Sequence, residues 1–296
     1  MTDTLNPSPF TTLISPESLA LLVAAGTPTV VIDVSFDLAD VTAGERSWHE
    51  AHVPGSLYLH LDRDLCGTKT GVDGRFLGRH PLPARADFAL TLARCGITPA
   101  TQVVALDRQG GMYAARLWWM LRWMGHSAVA VLDGGVAAWA ESGAALIADV
   151  ALAVHAAPYP STASMMPTVT GDELVAQLGR IRLIDARASE RFRGEVEPLD
   201  AAAGHIPGAL NRFFKDNLGS DGRFKPAARL RTEFDALLGP QDASAVVQVV
   251  HQCGSGVTAC HNLLAMEHAG LTGSALYPGS WSEWSSDPAR PVALSA

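Results

Sequence analysis

The sequence predicts an α/β protein built from two small tandem domains, each a mainly parallel sheet flanked by helices. Short apolar runs typical of buried strands alternate along the chain with stretches typical of helices. The second half of the chain also repeats the order of motifs found in the first half. At 296 residues, the chain is long enough to form a core in each of two domains.

The repeat consists of paired segments that occur in the same order. In each half a helix opened by a capping residue leads to a strand that ends in an aspartate, Asp33 or Asp185. The later pairs are His-x-Pro-Gly at 52–55 and 205–208, Gly-Arg-Phe at 74–76 and 222–224, and three pairs spaced by 145 residues, Gly111 with Gly256, Gly134 with Gly279 and Trp139 with Trp284.

The domain boundary is predicted near residue 155. Residues 156–167 are small residues and prolines without periodicity, which is typical of a linker. The first domain therefore spans 1–155 and the second 168–296. Helix 113–124 carries three tryptophans, and such a stripe indicates core or domain-interface packing.

Composition and charge exclude several classes of function. The net charge of -8 argues against nucleic acid as the main partner, although local arginines still permit a small anionic substrate. We expect no secretory signal and no membrane span. The four cysteines form no disulfide or zinc spacing, so a reducing cytoplasm is expected, and no metal or organic cofactor is implied.

The segment 246–264 carries the candidate chemistry. An apolar strand leads to Cys253, a loop with Gly254 and Gly256 follows, and a helix is predicted to begin near Thr258. Backbone N–H groups at the start of a helix have no internal partner, so a loop curled over them forms an anion-binding cup. Such a cup stabilises the thiolate of a cysteine, which is its nucleophilic form.

Other interpretations of this segment are weaker. Cysteine phosphatases place an arginine six positions after the nucleophile, where this chain has Ala259. A metal cluster of His251, Cys253, Cys260 and His261 is disfavoured because the last two fall on the following helix. In the first half, the spacing of 145 residues puts Arg108 in the place of Cys253, so that half is predicted to lack the nucleophile.

Together these motifs resemble the tandem-domain rhodanese-like sulfurtransferases, and the resemblance covers nearly all of the chain. The two His-x-Pro-Gly segments, the loop 253–258 and the Gly-Ser-Trp segment at 279–281 carry it. It implies two rhodanese-like folds, the first inactive and the second catalytic. It also implies a persulfide on Cys253, loaded by a small anionic sulfur donor and discharged to a thiol, cyanide or a thioredoxin-like protein.

The resemblance also implies site residues. The Gly-Ser-Gly sequence after Cys253 is similar to that of 3-mercaptopyruvate enzymes rather than thiosulfate enzymes. In such enzymes a serine, a histidine and an aspartate lie near the sulfur, and the matching positions are Ser255, His80 and Asp64. The cup is formed by Gly254, Gly256, Val257 and Thr258.

The substrate carboxylate is held by two arginines in the enzymes that the chain resembles. The first matches Arg191, but the chain departs from the pattern at Leu199, where the second is expected, and Arg187 is a candidate to compensate. Three alternatives stay open at this point: a thiosulfate-preferring rhodanese, a non-catalytic persulfide carrier or redox-sensing module, and a hydrolase that uses Cys253 with His80.

Overall fold

A computed structural model describes residues 8–150, 155–239 and 248–295 of the chain. The first half forms a five-stranded sheet in the order β1-β5-β4-β2-β3. Its elements are β1 (Leu13–Ile14), α1 (Pro16–Ala24), β2 (Thr29–Asp33), α2 (Ala43–Glu50), β3 (Leu57–Tyr58), α3 (Leu61–Asp64), α4 (Arg85–Arg94), β4 (Gln102–Leu106), α5 (Ala114–Trp123), β5 (Val129–Leu132) and α6 (Gly135–Glu141).

The second half forms a four-stranded sheet in the order β7-β6-β8-β9. Its elements are α7 (Gly171–Gln177), β6 (Arg182–Asp185), α8 (Ser189–Arg193), β7 (Leu210–Asn211), a 3₁₀ helix (Phe214–Asn217), α9 (Ala227–Leu238), β8 (Val249–Gln252), α10 (Ala259–His268), β9 (Ala275–Leu276) and α11 (Ser280–Trp284). A parallel bridge between Thr168 and Leu276 stands where β1 pairs with β5 in the first half.

The predicted α/β class is confirmed, because every paired strand in both sheets is parallel. The central strands β4 and β5 are buried on both faces, which explains their continuous apolar runs. The predicted strand ends are also confirmed, since Asp33 ends β2 and Asp185 ends β6. Thr170 and Glu173 form the predicted capping box at the start of α7.

Helices α5 and α10 pack against each other across the domain interface. Trp118 and Trp119 on α5 are fully buried in a core cluster that also contains Leu263 and Leu264 of α10. The predicted packing role of the tryptophan stripe is confirmed. One continuous apolar core therefore joins the two halves and fixes the position of one sheet relative to the other.

Each half also extends a loop onto the other half. The loop closed by the Thr70–Phe76 bridge reaches the second domain, where Arg75 pairs with Asp172 at 3.3 Å. The matching loop around Phe224 reaches the first domain, where Phe224 N–H donates to Asp133 at 2.8 Å. Each domain thus contributes one loop to the contact with the other domain.

The segment predicted as a linker packs on the first domain. Ala156 N–H donates to Ala93 O at 2.9 Å, and Tyr159 is buried with its hydroxyl 2.9 Å from His126 Nδ1. The boundaries near residues 155 and 168 stay a prediction. Within the described ranges, no helix has the length and apolar character needed to cross a bilayer.

Candidate active site

The loop after β8 curls around Cys253, as the sequence predicts. Gly256 N–H and Ser255 N–H point at Cys253 Sγ, at 3.1 and 3.5 Å. Gly256 has φ of +76°, and a Cβ there would meet Pro278 O at 2.3 Å, so only glycine fits this turn. In the described part of the chain, Val257 N–H and Thr258 N–H have no hydrogen-bond acceptor. The cup therefore retains donors for a second atom bound to the sulfur.

The other three cysteines differ from Cys253 in their surroundings. Burial raises the pKa of Cys66, Cys95 and Cys260 to about 12. At neutral pH these three are thiols, which are poor nucleophiles. Only Cys253 has backbone N–H groups directed at its sulfur among the described cysteines.

The structural counterpart of Cys253 in the first domain is Asp107, which corrects the assignment of Arg108. Strand register pairs Asp33 with Leu106 and Asp185 with Gln252, so Asp107 and Cys253 each follow the last strand residue. The first-domain loop spans 107–113 and the second 253–258, one residue fewer. The spacing of 145 residues holds beyond the loop but not before it.

Asp107 fills the cup of its own domain. Its two carboxylate oxygens accept from four backbone N–H groups at 2.8–2.9 Å, namely those of Gln109, Gly111, Tyr113 and Ala114. The first domain thus contains the same cup with a fixed anion in it. This internal comparison indicates that the fold of the loop binds negative charge.

We expect Asp107→Asn to lower the free energy of unfolding by about 2–4 kcal/mol, because an amide turns one acceptor into a donor that faces buried N–H groups. Denaturant titration of the full chain measures the change. The matched control is Asp37→Asn, which affects an exposed carboxylate with one N–H contact, from Ala39, and should stay within about 0.5 kcal/mol of wild type. Equal stability of both variants would contradict this account.

Ser280 carries backbone strain next to the cysteine. It is the single non-glycine residue with positive φ, +54°, in the described ranges. Its counterpart in the first domain is Gly135, with φ of +58°. Ser280 Oγ accepts from Cys253 N–H at 3.2 Å and donates to Tyr277 O at 2.9 Å. The backbone of Ser280 thus adopts a conformation that is unfavourable for a residue with a side chain, and the hydroxyl of Ser280 fixes the backbone N–H of Cys253.

The structure brings His80 and Ser255 together across the domain interface. His80 Nδ1 lies 2.7 Å from Ser255 Oγ. Burial, with the positive charges of Arg79 and Arg116 acting in the same direction, lowers the pKa of His80 to about 3. The imidazole is therefore neutral at physiological pH, with one ring nitrogen as donor and the other as acceptor.

The aspartate that faces His80 is Asp62 and not Asp64. Asp62 Oδ1 lies 3.5 Å from His80 Nε2, but the two atoms do not have the geometry of a hydrogen bond. Asp64 instead accepts from His60 N–H at 2.9 Å and pairs with Arg94 at 3.1 Å. The predicted Asp64 lies on the short helix α3, where residues two apart point to opposite sides. A carboxylate at Asp62 favours the proton on Nε2, so Nδ1 accepts from the Ser255 hydroxyl.

The two predicted arginines differ in how their donors are used. Arg191 donates through Nη2 to Glu197 and Asp200 at 2.7–3.0 Å, while its Nη1 faces Gly254. Arg187 lies in the cavity wall, but its donors are taken by Asp185 and Glu197 and by the carbonyl of Gly204. Among the described residues, Arg191 thus reaches the site with no hydrogen bond from Nη1, whereas Arg187 is held within the wall.

Two further arginines reach the site from the first domain and were not predicted. Arg79 pairs through Nη1 with Asp200 at 2.6 Å and directs Nη2 at Gly254. Arg116 is fully buried on α5 and donates to Gly256 O at 3.0 Å and to His80 O at 3.2 Å. Arg79 is adjacent to His80 in the sequence, which is the signal that could have identified it; nothing in the sequence distinguishes Arg116.

Cys253 lines a cavity of about 210 Å³ between the domains. Leu38 and Met112 of the first domain and Phe213 and Val257 of the second contribute apolar wall. A larger cavity of about 450 Å³ lies elsewhere on the interface, but none of its lining residues is a cysteine. We therefore place the candidate site in the smaller cavity, which has room for a small molecule.

The residues of the disfavoured metal cluster are used otherwise. His251 Nε2 lies 3.1 Å from Met266 Sδ, and His261 Nε2 lies 3.0 Å from Gly110 O. Among residues 8–150, 155–239 and 248–295, no three metal-ligating side chains gather into a site. The arrangement around Cys253 is that of a nucleophile in an anion cup.

The buried histidines predict how stability depends on pH. Burial lowers the pKa of His80 and His251 to about 3 and that of His261 to about 4. In the unfolded chain these groups take up protons near pH 6.5. Stability is therefore fully present above pH 6.5 and lost as pH falls toward 4, by up to ~1.4 kcal/mol per pH unit for each histidine. Urea titrations at pH 7 and pH 5 measure this; equal midpoints would contradict it.

Comparison with known proteins agrees with this geometry. The family model of the rhodanese-like domain matches residues 15–142 and 170–287. A probable 3-mercaptopyruvate sulfurtransferase from Pseudomonas aeruginosa is 46% identical over 89% of this chain and 92% of its own length. A putative thiosulfate sulfurtransferase, SseB, from Mycobacterium tuberculosis is 38% identical over 95% of this chain and 96% of its own.

A solved structure gives the same result. The 3-mercaptopyruvate sulfurtransferase from Leishmania major has a TM-score of 0.79 and 28% identity, and the match covers 93% of this chain and 74% of that protein. The same family follows from the two matches of the family model, from the two parallel sheets and from the cysteine cup. The chain belongs to the rhodanese-like family, with two rhodanese-like domains in tandem.

Proposed function

We propose that this protein is a sulfurtransferase that takes a sulfur atom from 3-mercaptopyruvate onto Cys253 and passes it to a thiol or to cyanide. The observation that carries the proposal is the Cys253 cup with the Ser255–His80 pair beside it. The relatives from Pseudomonas aeruginosa and Mycobacterium tuberculosis are named as a probable and a putative sulfurtransferase, and the more similar of the two is named for 3-mercaptopyruvate.

In the first half-reaction the Cys253 thiolate attacks the sulfur of 3-mercaptopyruvate. An S–S bond forms, the C–S bond breaks, and its electron pair leaves on carbon as the enolate of pyruvate. The enolate needs a proton, and the donor's own S–H has one to give. Ser255, with neutral His80 behind it, is placed to move that proton from sulfur to the leaving group.

The resulting persulfide is an anion with its charge on the outer sulfur. The N–H groups of residues 254–258 form the cup that would hold it, in the way that the first-domain cup holds Asp107. In the second half-reaction a thiolate or cyanide attacks the outer sulfur. The S–S bond breaks, and its electrons return to Cys253 as thiolate.

Thiosulfate is the second candidate donor, favoured by the name of the Mycobacterium tuberculosis relative. Sulfite leaves thiosulfate as a stable anion and needs no proton. The Ser255–His80 pair would then have no proton to transfer, which is why we favour 3-mercaptopyruvate. The proposal includes a small thiol, cyanide or a thioredoxin-like protein as acceptor, in a reducing cytoplasm that keeps Cys253 available.

The test is a steady-state comparison of both donors with cyanide and with dithiothreitol as acceptors. We expect repeated turnover, with a higher kcat/KM for 3-mercaptopyruvate, read as pyruvate release, than for thiosulfate, read as sulfite release. A higher value for thiosulfate would overturn the donor assignment. Release of one equivalent per protein, followed by arrest, would indicate a persulfide carrier instead of an enzyme.

A further inference from the structure

Two guanidinium groups, one from each domain, meet beside the first residue of the cup. A Cβ atom built on Gly254 would lie 3.0 Å from Arg79 Nη2 and 3.4 Å from Arg191 Nη1. Neither nitrogen donates a hydrogen bond to any residue that the structure describes. Both arginines line the cavity that contains Cys253. Two unused cationic edges therefore face the same small space.

One carboxylate, that of Asp200, contacts both groups, and Glu197 also holds Arg191 at 2.7 Å. Asp200 Oδ1 accepts from Arg79 Nη1 at 2.6 Å, and Asp200 Oδ2 accepts from Arg191 Nη2 at 3.0 Å. Asp200 is nearly inaccessible, with 3% of its side chain exposed. The two guanidinium groups are thus fixed on either side of Asp200, and their free nitrogens need not be ordered when an anion enters.

The absence of a side chain at residue 254 lets the two guanidinium groups approach the Cys253 loop closely. Any Cβ there would fall within contact distance of both free nitrogens. Glycine therefore lets both guanidinium groups lie directly against the peptide that follows Cys253, in the wall of the cavity that a donor anion would enter. A carboxylate fits this arrangement, because its two oxygens can each accept from a different arginine.

We propose that Arg79 and Arg191 together bind the carboxylate of the sulfur donor, so that the first domain supplies half of the substrate-binding site. This inference rests on the proposed function. It assigns Arg79 a role in donor recognition, and it assigns Asp200 the role of a positioning residue that aligns both cations.

The test compares 3-mercaptopyruvate with mercaptoacetone, which has the same thiol and ketone but no carboxylate. Arg79→Met is expected to reduce kcat/KM for 3-mercaptopyruvate by about 10- to 100-fold, mainly through a higher KM, because a charge-assisted hydrogen bond is lost. Turnover of mercaptoacetone should stay near the wild-type value. An equal loss with both donors would overturn the proposal, since it would indicate a structural role.

The matched control is Arg75→Met. Arg75 also forms an interdomain ion pair, with Asp172, but it lies outside the Cys253 cavity. We expect this variant to use both donors like wild type; a loss for 3-mercaptopyruvate like that of Arg79→Met would overturn the proposal. Arg79→Lys, which keeps the charge, should recover part of the lost kcat/KM and serves if Arg79→Met does not fold.

Two further outcomes distinguish a failure of this inference from a failure of the proposed function. If wild type forms no persulfide with 3-mercaptopyruvate or with mercaptoacetone, as judged by a mass increase of one sulfur atom, the proposed function itself fails. If Arg79→Met loses thiosulfate activity while 3-mercaptopyruvate activity is kept, the pair binds a sulfonate and the carboxylate assignment is wrong.

Discussion

Replacing Cys253 by serine is expected to lower sulfur transfer from 3-mercaptopyruvate and from thiosulfate by at least about 10⁴-fold. A serine hydroxyl fits the same cup, but its oxygen is a far weaker nucleophile toward sulfur than a thiolate and forms no persulfide. Pyruvate and sulfite release measure the loss, and intact mass shows whether a sulfur atom is retained on the protein after donor treatment.

The matched control is Cys66→Ser. Cys66 is partly buried in the first domain, and burial raises the pKa of its thiol to about 12. This variant should keep wild-type turnover and still accept one sulfur atom. Retained activity in Cys253→Ser, or a persulfide found on Cys66 in wild type, would refute the mechanism.

Replacing His80 by alanine is expected to slow the two donors unequally. The kcat for 3-mercaptopyruvate should fall by about 10²- to 10⁴-fold, the usual contribution of a positioned acid–base group. Thiosulfate turnover should fall much less, because sulfite leaves without a proton. Parallel assays of pyruvate and sulfite on the same preparation measure the ratio, and an equal fall for both donors would show that His80 is not part of a proton path.

Two neighbouring aspartates provide a second test of the same path. Asp62→Asn should reduce 3-mercaptopyruvate turnover, because Asp62 faces His80 Nε2 and favours the proton on that nitrogen. Asp64→Asn should leave the donor ratio unchanged, since Asp64 binds His60 N–H and Arg94. The reverse outcome would restore the assignment made from the sequence.

Much of the fold was predictable because local chemistry specifies it. The strands that end in Asp33 and Asp185 are short apolar runs between helix signals, and the capping box at Thr170 is a local hydrogen-bonding pattern. The Cys253 cup was predictable for the same reason, since a cysteine, two glycines and a helix start lie within one short segment.

The errors arise where position depends on more than sequence spacing. The spacing of the later motifs, extended back through a loop of different length, predicts Arg108 as the counterpart of Cys253, whereas strand register selects Asp107. Asp62 and Asp64 lie two residues apart on a four-residue helix, and only the direction of each side chain decides which of them faces His80. Arg79 was missed because its role depends on a contact with Asp200, 121 residues away.

The buried guanidinium of Arg116 has a consequence for truncation of the chain. A domain without a nucleophile could be dispensable if it only covered the other half. Here helix α5 of that domain supports the carbonyl of Gly256, and the same domain contributes His80 and Arg79 to the cavity. A chain cut back to residues 156–296 would therefore keep Cys253 but lose the side chains of Arg79, His80 and Arg116, so the second half alone would carry an incomplete site.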